Sequence, residues 1–565
     1  MCASGATAIR RTTSTTAPRS RSTGKGPRGN DLERQELAQA RPNCHSGLVE
    51  EPLKGGDRRD RGRSLVGVNS PERCFDKLSM TRGGPAPVRR GPGCLAGGQI
   101  GQEFPKMSRR ISRRDFVRTA ALGTGVLVLP SGQAARSYAA NAKLGVALVG
   151  VGGRGKWYVD VIPRQADIVA LCDVNDSKAA AAYKALPQAQ KFHDFRVMLD
   201  KVHREIDGVI VAAPDHIHAV ASVAVMRAGK HIFCEKPLTG CPHEARVVRA
   251  VAAKSGVVTR MGNQGSASAQ FRRGVELVED GAIGEVREAY VWCEGGGSDM
   301  KQPPQGTQPV PDYLRWDLWL GPNSDRPFHP QWLNWNAWRE FGTGLNGNRG
   351  SHSGYLNFYA LKILELWHAE PASKPRIKVS AESSGINRLS FPRWEVVHFS
   401  IPARGALPPV TIHWVNGRGA QEWRKRIEDG LGRQLDWGDF GDKKWKDYEG
   451  GLLIGSKGRI YAKGSNSGIE LLPADQFQGV DLTPKRLAPS PGMPEPEWLG
   501  AIRGEKVKLM SPFSVAGPYT EMMLLGNIAT QFEGEIEYDP LEGKIVNNAE
   551  ADALLNRPYR QGWSL

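Results

Sequence analysis

The stretch "LGVALVGVGGRGKWYVDVI", Leu144 to Ile162, decides the fold. An apolar strand runs into Gly150, Gly152 and Gly155, and an amphipathic helix follows. A G-x-G-x-x-G turn in this setting lets the backbone bend sharply and brings the N–H groups of a helix start up to a pyrophosphate. Arg154 stands inside the turn and joins the candidate cofactor set.

The next strand, "DIVALCDVND", ends at Asp173, 23 residues beyond Gly150. That is close to the ~20 expected for an acid that binds the adenosine ribose hydroxyls, and no arginine follows it directly, which favours NAD without excluding NADP. Further strands, "IDGVIVAAP", "KHIFCEKP" and "GVVTRMGNQ", alternate with helical patterns such as "HIHAVASVAVMRAG". Strand alternating with helix predicts a parallel sheet.

The chain has 565 residues and a formal charge of +17, which would suggest nucleic acid or a membrane surface if it belonged to a folded domain. It does not. Residues 1–106 carry 19 Lys+Arg against 10 Asp+Glu and 107–142 carry 6 against 1, whereas 143–565 carry 51 against 48.

Within the basic part, "SRRDFVRTAALGTGVLVLP" sets Arg113 and Arg114 before Phe116 and an uncharged apolar run of about 11 residues, short of the ~20 of a bilayer span. This resembles a twin-arginine export signal. Cleavage near Ala140 and a periplasmic or exported location are expected, with no stable membrane span. Such a signal belongs at an N-terminus, so Met107 is the expected start and 1–106 a mis-annotated or disordered leader. Four cysteines fall outside the leader, Cys172, Cys234, Cys241 and Cys293, without zinc spacing, so no metal site is expected.

At "AAPDHIHA" and "CEKPL" the sequence resembles the Gfo/Idh/MocA oxidoreductases. "DLWLGP", "WREFGTG" and "LLGNIATQFEGEIEYD" look like the branch that carries twin-arginine signals, and "NRPYRQGWSL" like its C-terminal end. The resemblance implies an α/β fold: a Rossmann dinucleotide-binding domain, 143–262, then an α/β domain with a large, mainly antiparallel open sheet, 263–565, which holds the substrate and forms homo-oligomer contacts. It implies an NAD(P)-dependent oxidoreductase acting on a secondary alcohol of a sugar, glycoside or cyclitol. An enzyme that cleaves glycosides with no net redox, and a degenerate sugar-binding protein, are the alternatives.

By the same resemblance Glu235, Lys236 and Pro237 match the E-K-P motif whose lysine reaches between nicotinamide and substrate. Pro214 and His218 match an element lining the cofactor, as do Asn263 and Gln264 at the end of a later strand. Trp338 and Arg339 lead from the cofactor edge into "GNRGSHSGY", Gly347 to Tyr355, which aligns with a catalytic turn ending D-x-G-x-H-x-x-D in many relatives. Here His352 remains as the expected base, but Asn348 and Tyr355 stand where both aspartates belong. A histidine of ordinary pKa near ~6.5 needs no tuning for that role, and Asn348 is expected to orient its ring.

The loop "GGGSDMKQPPQGTQPVPDY", Gly295 to Tyr313, is a candidate lid, with Asp299 or Asp312 as a replacement acid. Trp316, Trp319, Trp332, Trp335 and Trp338 offer indole faces for sugar rings, with core filling as the plainer use.

Overall fold

A computed structural model describes residues 143–437 and 447–565. The expected leader, the export signal and Met107 lie outside them.

Six strands form the first sheet: β1 (Gly145–Val149), β2 (Asp167–Cys172), β3 (Gln190–Phe192), β4 (Gly208–Val211), β5 (His231–Cys234) and β6 (Thr259–Met261). Their order is β3-β2-β1-β4-β5-β6, and every pairing is parallel. The parallel sheet foreseen from the strand–helix alternation is therefore present, with its order reversing between β1 and β4, where doubly wound sheets open a crevice.

Side-chain alternation covers both faces. From β1, Val146 and Leu148 enter one core with Tyr158 and Val159 of helix α1 (Gly155–Val161), while Ala147 and Val149 enter the other. The first face is completed from far along the chain by Trp498 and Leu499 of a helix at Pro494–Ile502. Gly208 makes room for it, since a Cβ there would lie 2.7 Å from the Trp498 ring.

The second sheet has nine strands: β7 (Val286–Cys293), β8 (Ile377–Ser383), β9 (Glu395–Ile401), β10 (Val410–Asn416), β11 (Glu449–Gly455), β12 (Arg459–Lys463), β13 (Gly468–Leu472), β14 (Glu535–Asp539) and β15 (Lys544–Ile545). Only β7 and β10 pair in parallel; the remaining pairs are antiparallel. The buried helix Phe513–Ala529 packs between this sheet and the helix Pro242–Ser255 of the first. Among the described residues no helix is long and apolar enough to cross a membrane, and no group of three or more His, Cys, Asp or Glu is arranged to hold a metal. Cys172, Cys234, Cys241 and Cys293 are buried free thiols.

Candidate active site

Register builds the site. Cys172 of β2, Val149 of β1, Val211 of β4, Cys234 of β5 and Met261 of β6 stand in one row across the sheet. The residues that follow are therefore brought side by side at its carboxyl edge: Asp173, Gly150, Ala212, Glu235 and Gly262. Lys236, Asn263 and Gln264 come next. Residues up to 114 positions apart in the chain meet here because parallel strands end together.

The glycine turn has the shape its residues suggested. Gly150 sits at φ +80°, where a Cβ would also lie 2.7 Å from the Ala212 carbonyl, and a Cβ on Gly155 would lie 2.0 Å from the Gly150 carbonyl. Asp173 accepts hydrogen bonds from the N–H of Val151 at 2.8 Å and Gly152 at 3.3 Å, which fixes the turn from beneath. The site fits a dinucleotide: bare glycines at the rim and a partly exposed carboxylate at the end of β2.

Arg154 faces inward. Its Nε donates to Glu235 at 2.7 Å, the Tyr158 hydroxyl donates to the same oxygen at 2.5 Å, and a second nitrogen lies 3.8 Å from Glu495. With its amide turned, Gln264 accepts from Arg154 at 2.9 Å. Burial opposes the charge on Glu235, but Arg154 and Lys236 outweigh it and hold the carboxyl below the usual range. Glu235 thus links the glycine turn to the lysine.

Lys236 reaches the second domain. Its ammonium donates to Asn348 Oδ1 at 2.6 Å and to the Asn348 carbonyl at 3.2 Å. Burial, seconded by Arg349, brings it down to about 8, against the raising effect of Glu235, Asp215 and Glu449.

"GNRGSHSGY" is helical, not a turn. Gly344–Ser353 forms an α-helix despite three glycines, which are poor helix formers. Packing accounts for them: a Cβ on Gly347 would lie 2.0 Å from Thr343 Oγ1, and one on Gly350 would lie 3.0 Å from Met523 Sδ. The hydroxyl of Thr343 donates to Asp215 at 2.6 Å, and Asn527 donates to the Thr343 carbonyl at 2.7 Å, so the helix start is tied to both domains. Helical spacing sets Asn348 and Arg349 beside His352.

The roles of these residues differ from expectation in three ways. Asn348 holds Lys236 rather than the ring of His352. His352 is buried, with no partner for its Nδ1. Burial, then Lys236, Arg349 and Arg154, drive its pKa well below the ordinary histidine value, so its environment is strongly tuned. Tyr355 is buried and donates to the Met510 carbonyl at 2.9 Å, which removes it from the site.

The carboxylate paired with Arg349 is neither Asp299 nor Asp312. Asp299 is engaged by Lys301, Asn387 and Arg393. Asp312 contributes its backbone carbonyl to Arg315. Glu449, which opens β11, is the carboxylate that reaches Arg349, at 3.4 Å, and acts on Lys236; Ser465 donates to it at 3.1 Å. Nothing in its local sequence singled it out, because its role depends on β11 pairing with β7.

His218 has both ring nitrogens on backbone carbonyls, Pro237 at 2.7 Å and Ala213 at 2.8 Å, so it braces the E-K-P loop against the Pro214 loop. Arg339 is likewise committed to the carbonyls of Asn387, Ser390 and Asn527 and to Thr530. Trp338 is buried, with its indole N–H on the Gln331 carbonyl. Trp316, Trp319 and Trp332 are buried with it in one apolar cluster, against which Trp335 packs, so the indoles fill a core rather than offering open faces. Asn263 is buried with its Nδ2 unpartnered, close to the row of strand ends.

Residues 144–263 match the family model GFO_IDH_MocA, described as oxidoreductase family, NAD-binding Rossmann fold. That segment is similar to the NAD-binding unit of this oxidoreductase family.

A glycosyl hydrolase family 109 protein of Stenotrophomonas maltophilia is 32% identical over 138 residues, 22% of this chain and 29% of that protein. Levoglucosan dehydrogenase of Pseudarthrobacter phenanthrenivorans is 26% identical over 156 residues, 25% of this chain and 39% of that one. The chain thus spans well under half the length of these curated relatives. Among solved structures, the WlbA dehydrogenase of Bordetella pertussis in complex with NADH and UDP-GlcNAcA superposes with a TM-score of 0.47 at 16% identity, covering 70% of this chain and 98% of that one.

Proposed function

We propose that the protein is an NAD-dependent oxidoreductase acting on a secondary alcohol of a sugar, glycoside or cyclitol. The observation that carries this reading is the meeting of Lys236, from the end of β5, with the Asn348–His352 helix of the second domain, beside the glycine turn of a segment similar to the GFO/IDH/MocA NAD-binding unit.

Bound NAD would accept or return a hydride at the substrate carbon. Gly150, Gly152, Gly155 and Asp173 would hold it, with Asn263 and Gln264 near its reactive end. Lys236, kept in place by Asn348, donates a hydrogen bond to the substrate oxygen as charge develops there. His352, neutral and unpartnered, takes the hydroxyl proton. Pro214 and His218 hold the loops on either side.

A second reading is favoured by the family 109 glycosyl hydrolase among the relatives: transient oxidation, cleavage of a glycosidic bond and return of the hydride, with no net redox. One experiment separates the two. The full chain, loaded with NAD⁺, is given sugars, cyclitols and aryl glycosides while absorbance near ~340 nm and released aglycone are followed. Stoichiometric reduced cofactor supports the dehydrogenase; aglycone without reduced cofactor supports the second reading. Neither signal with any substrate removes both.

A further inference from the structure

The candidate base stands among cations. The charged groups that act on His352 are Lys236, Arg349 and Arg154, and its buried Nδ1 meets no acceptor. Both positions where relatives of this motif carry aspartate are taken: Asn348 is an amide committed to Lys236, and Tyr355 is buried in the core. An imidazolium formed by taking a substrate proton would have no counter-ion supplied by the helix it stands on. A catalytic histidine ordinarily has one, because a neighbouring anion stabilises the charge it acquires.

Arg349 lies over the Tyr448 ring, 5.4 Å from its centre, and holds one long ion pair. One of its nitrogens lies 3.4 Å from Glu449, longer than the ~2.7–2.9 Å of a charge-assisted hydrogen bond. Its Nη2 and Nε are not used by that pair, and about a third of the side chain, 32%, is exposed. It is three residues before His352 on the same helix, on the rim shared with Lys236. A guanidinium so placed has the planar fork that receives a carboxylate or a phosphate.

We propose that the substrate is an anionic sugar, and that Arg349 binds its carboxylate or phosphate close enough to His352 to serve as the missing counter-ion. This rests on the oxidoreductase reading and names its substrate class. The anion neutralises one of the three cations acting on the ring and stabilises the imidazolium as the proton arrives. No covalent step is added to the proposed reaction: the substrate hydroxyl proton goes to His352, and a bound nicotinamide would supply the hydride acceptor.

The test uses the full chain with NADH bound for calorimetry and with NAD⁺ for initial rates. The probes are hexuronates, hexose 6-phosphates and the matching neutral hexoses. An anionic arm is expected to bind at least tenfold tighter than its neutral counterpart, and the better arm tells carboxylate from phosphate. Arg349→Met should reduce that ratio below about threefold, with folding checked by its melting curve. If Arg349→Met fails to fold, Glu449→Gln decides, because freeing the guanidinium should widen the ratio. Equal binding of neutral and anionic sugars, with turnover of the neutral ones, overturns the proposal and leaves the oxidoreductase reading standing. A ratio unmoved by either variant also overturns it. Absence of turnover or cleavage with every sugar removes the oxidoreductase reading and this proposal with it.

Discussion

Lys236 and Asn348 form the contact on which the chemistry turns. Lys236→Met should lower kcat/KM by about 10²–10⁴ while leaving NADH affinity, measured by fluorescence quenching, unchanged. Retained turnover would remove the lysine from the mechanism. Its ammonium is at about 8, so the protonated fraction falls as pH rises through that value, whereas His352 is already neutral at lower pH. The rate profile should therefore hold through neutrality and fall on the alkaline side near pH 8. Asn348→Asp sets an anion against the ammonium and should move that limb up by about one pH unit; Glu449→Gln removes an anion and should move it down. A limb that stays put in both variants would assign it to another group.

Elements hold these residues by close approach. Gly155→Ala would drive a Cβ to 2.0 Å from the Gly150 carbonyl, so NAD binding should be lost along with about 1–3 kcal/mol of stability. Calorimetric titration of NADH checks it. The helix Pro494–Ile502 is held by Glu497, fully buried between Arg260 of β6 at 3.1 Å and Arg272 of the helix Ala269–Glu279 at 2.5 Å. Glu497→Gln leaves two buried guanidiniums short of a counter-charge and should cost about 3–5 kcal/mol in urea unfolding. Local sequence announced the glycine turn, because its glycines serve bonds within a few residues. It gave no sign that Gly347 and Gly350 sit in a helix, since propensity argues otherwise; the helix's own N-cap, Thr343, closes on Gly347, and Met523 closes on Gly350 from a distant helix.

At the scale of the molecule, the two sheets share one continuous core and meet at the site, so a ligand in the crevice should stabilise both together. NADH at 100 times its Kd should add about 2.7 kcal/mol to the unfolding free energy of the full chain, read as a single shifted melt. Two separate transitions, with only one shifted, would show that the halves unfold independently. Export is a proposal of the same scale. Replacing Arg113 and Arg114 by lysine should hold the protein in the cytoplasm, as cell fractionation would show; unchanged export would rule out the twin-arginine route.

The lysine of the E-K-P loop was read from a resemblance to known oxidoreductases, whereas the sequence by itself determined the class of fold, the dinucleotide turn and the place of Asp173 at a strand end. Each of these last three depends on a spacing of a few residues or on the alternation of strand and helix, which local sterics and hydrophobic periodicity enforce. The partners were decided by tertiary structure. Arg154 finds Glu235, Asn348 turns to Lys236, Glu449 arrives from a separate strand, and the tryptophans close on one another as core. The three polar pairings are made across 81 to 112 residues by strand register and helix packing, and a single sequence carries no local energy term that records which distant surface will meet which.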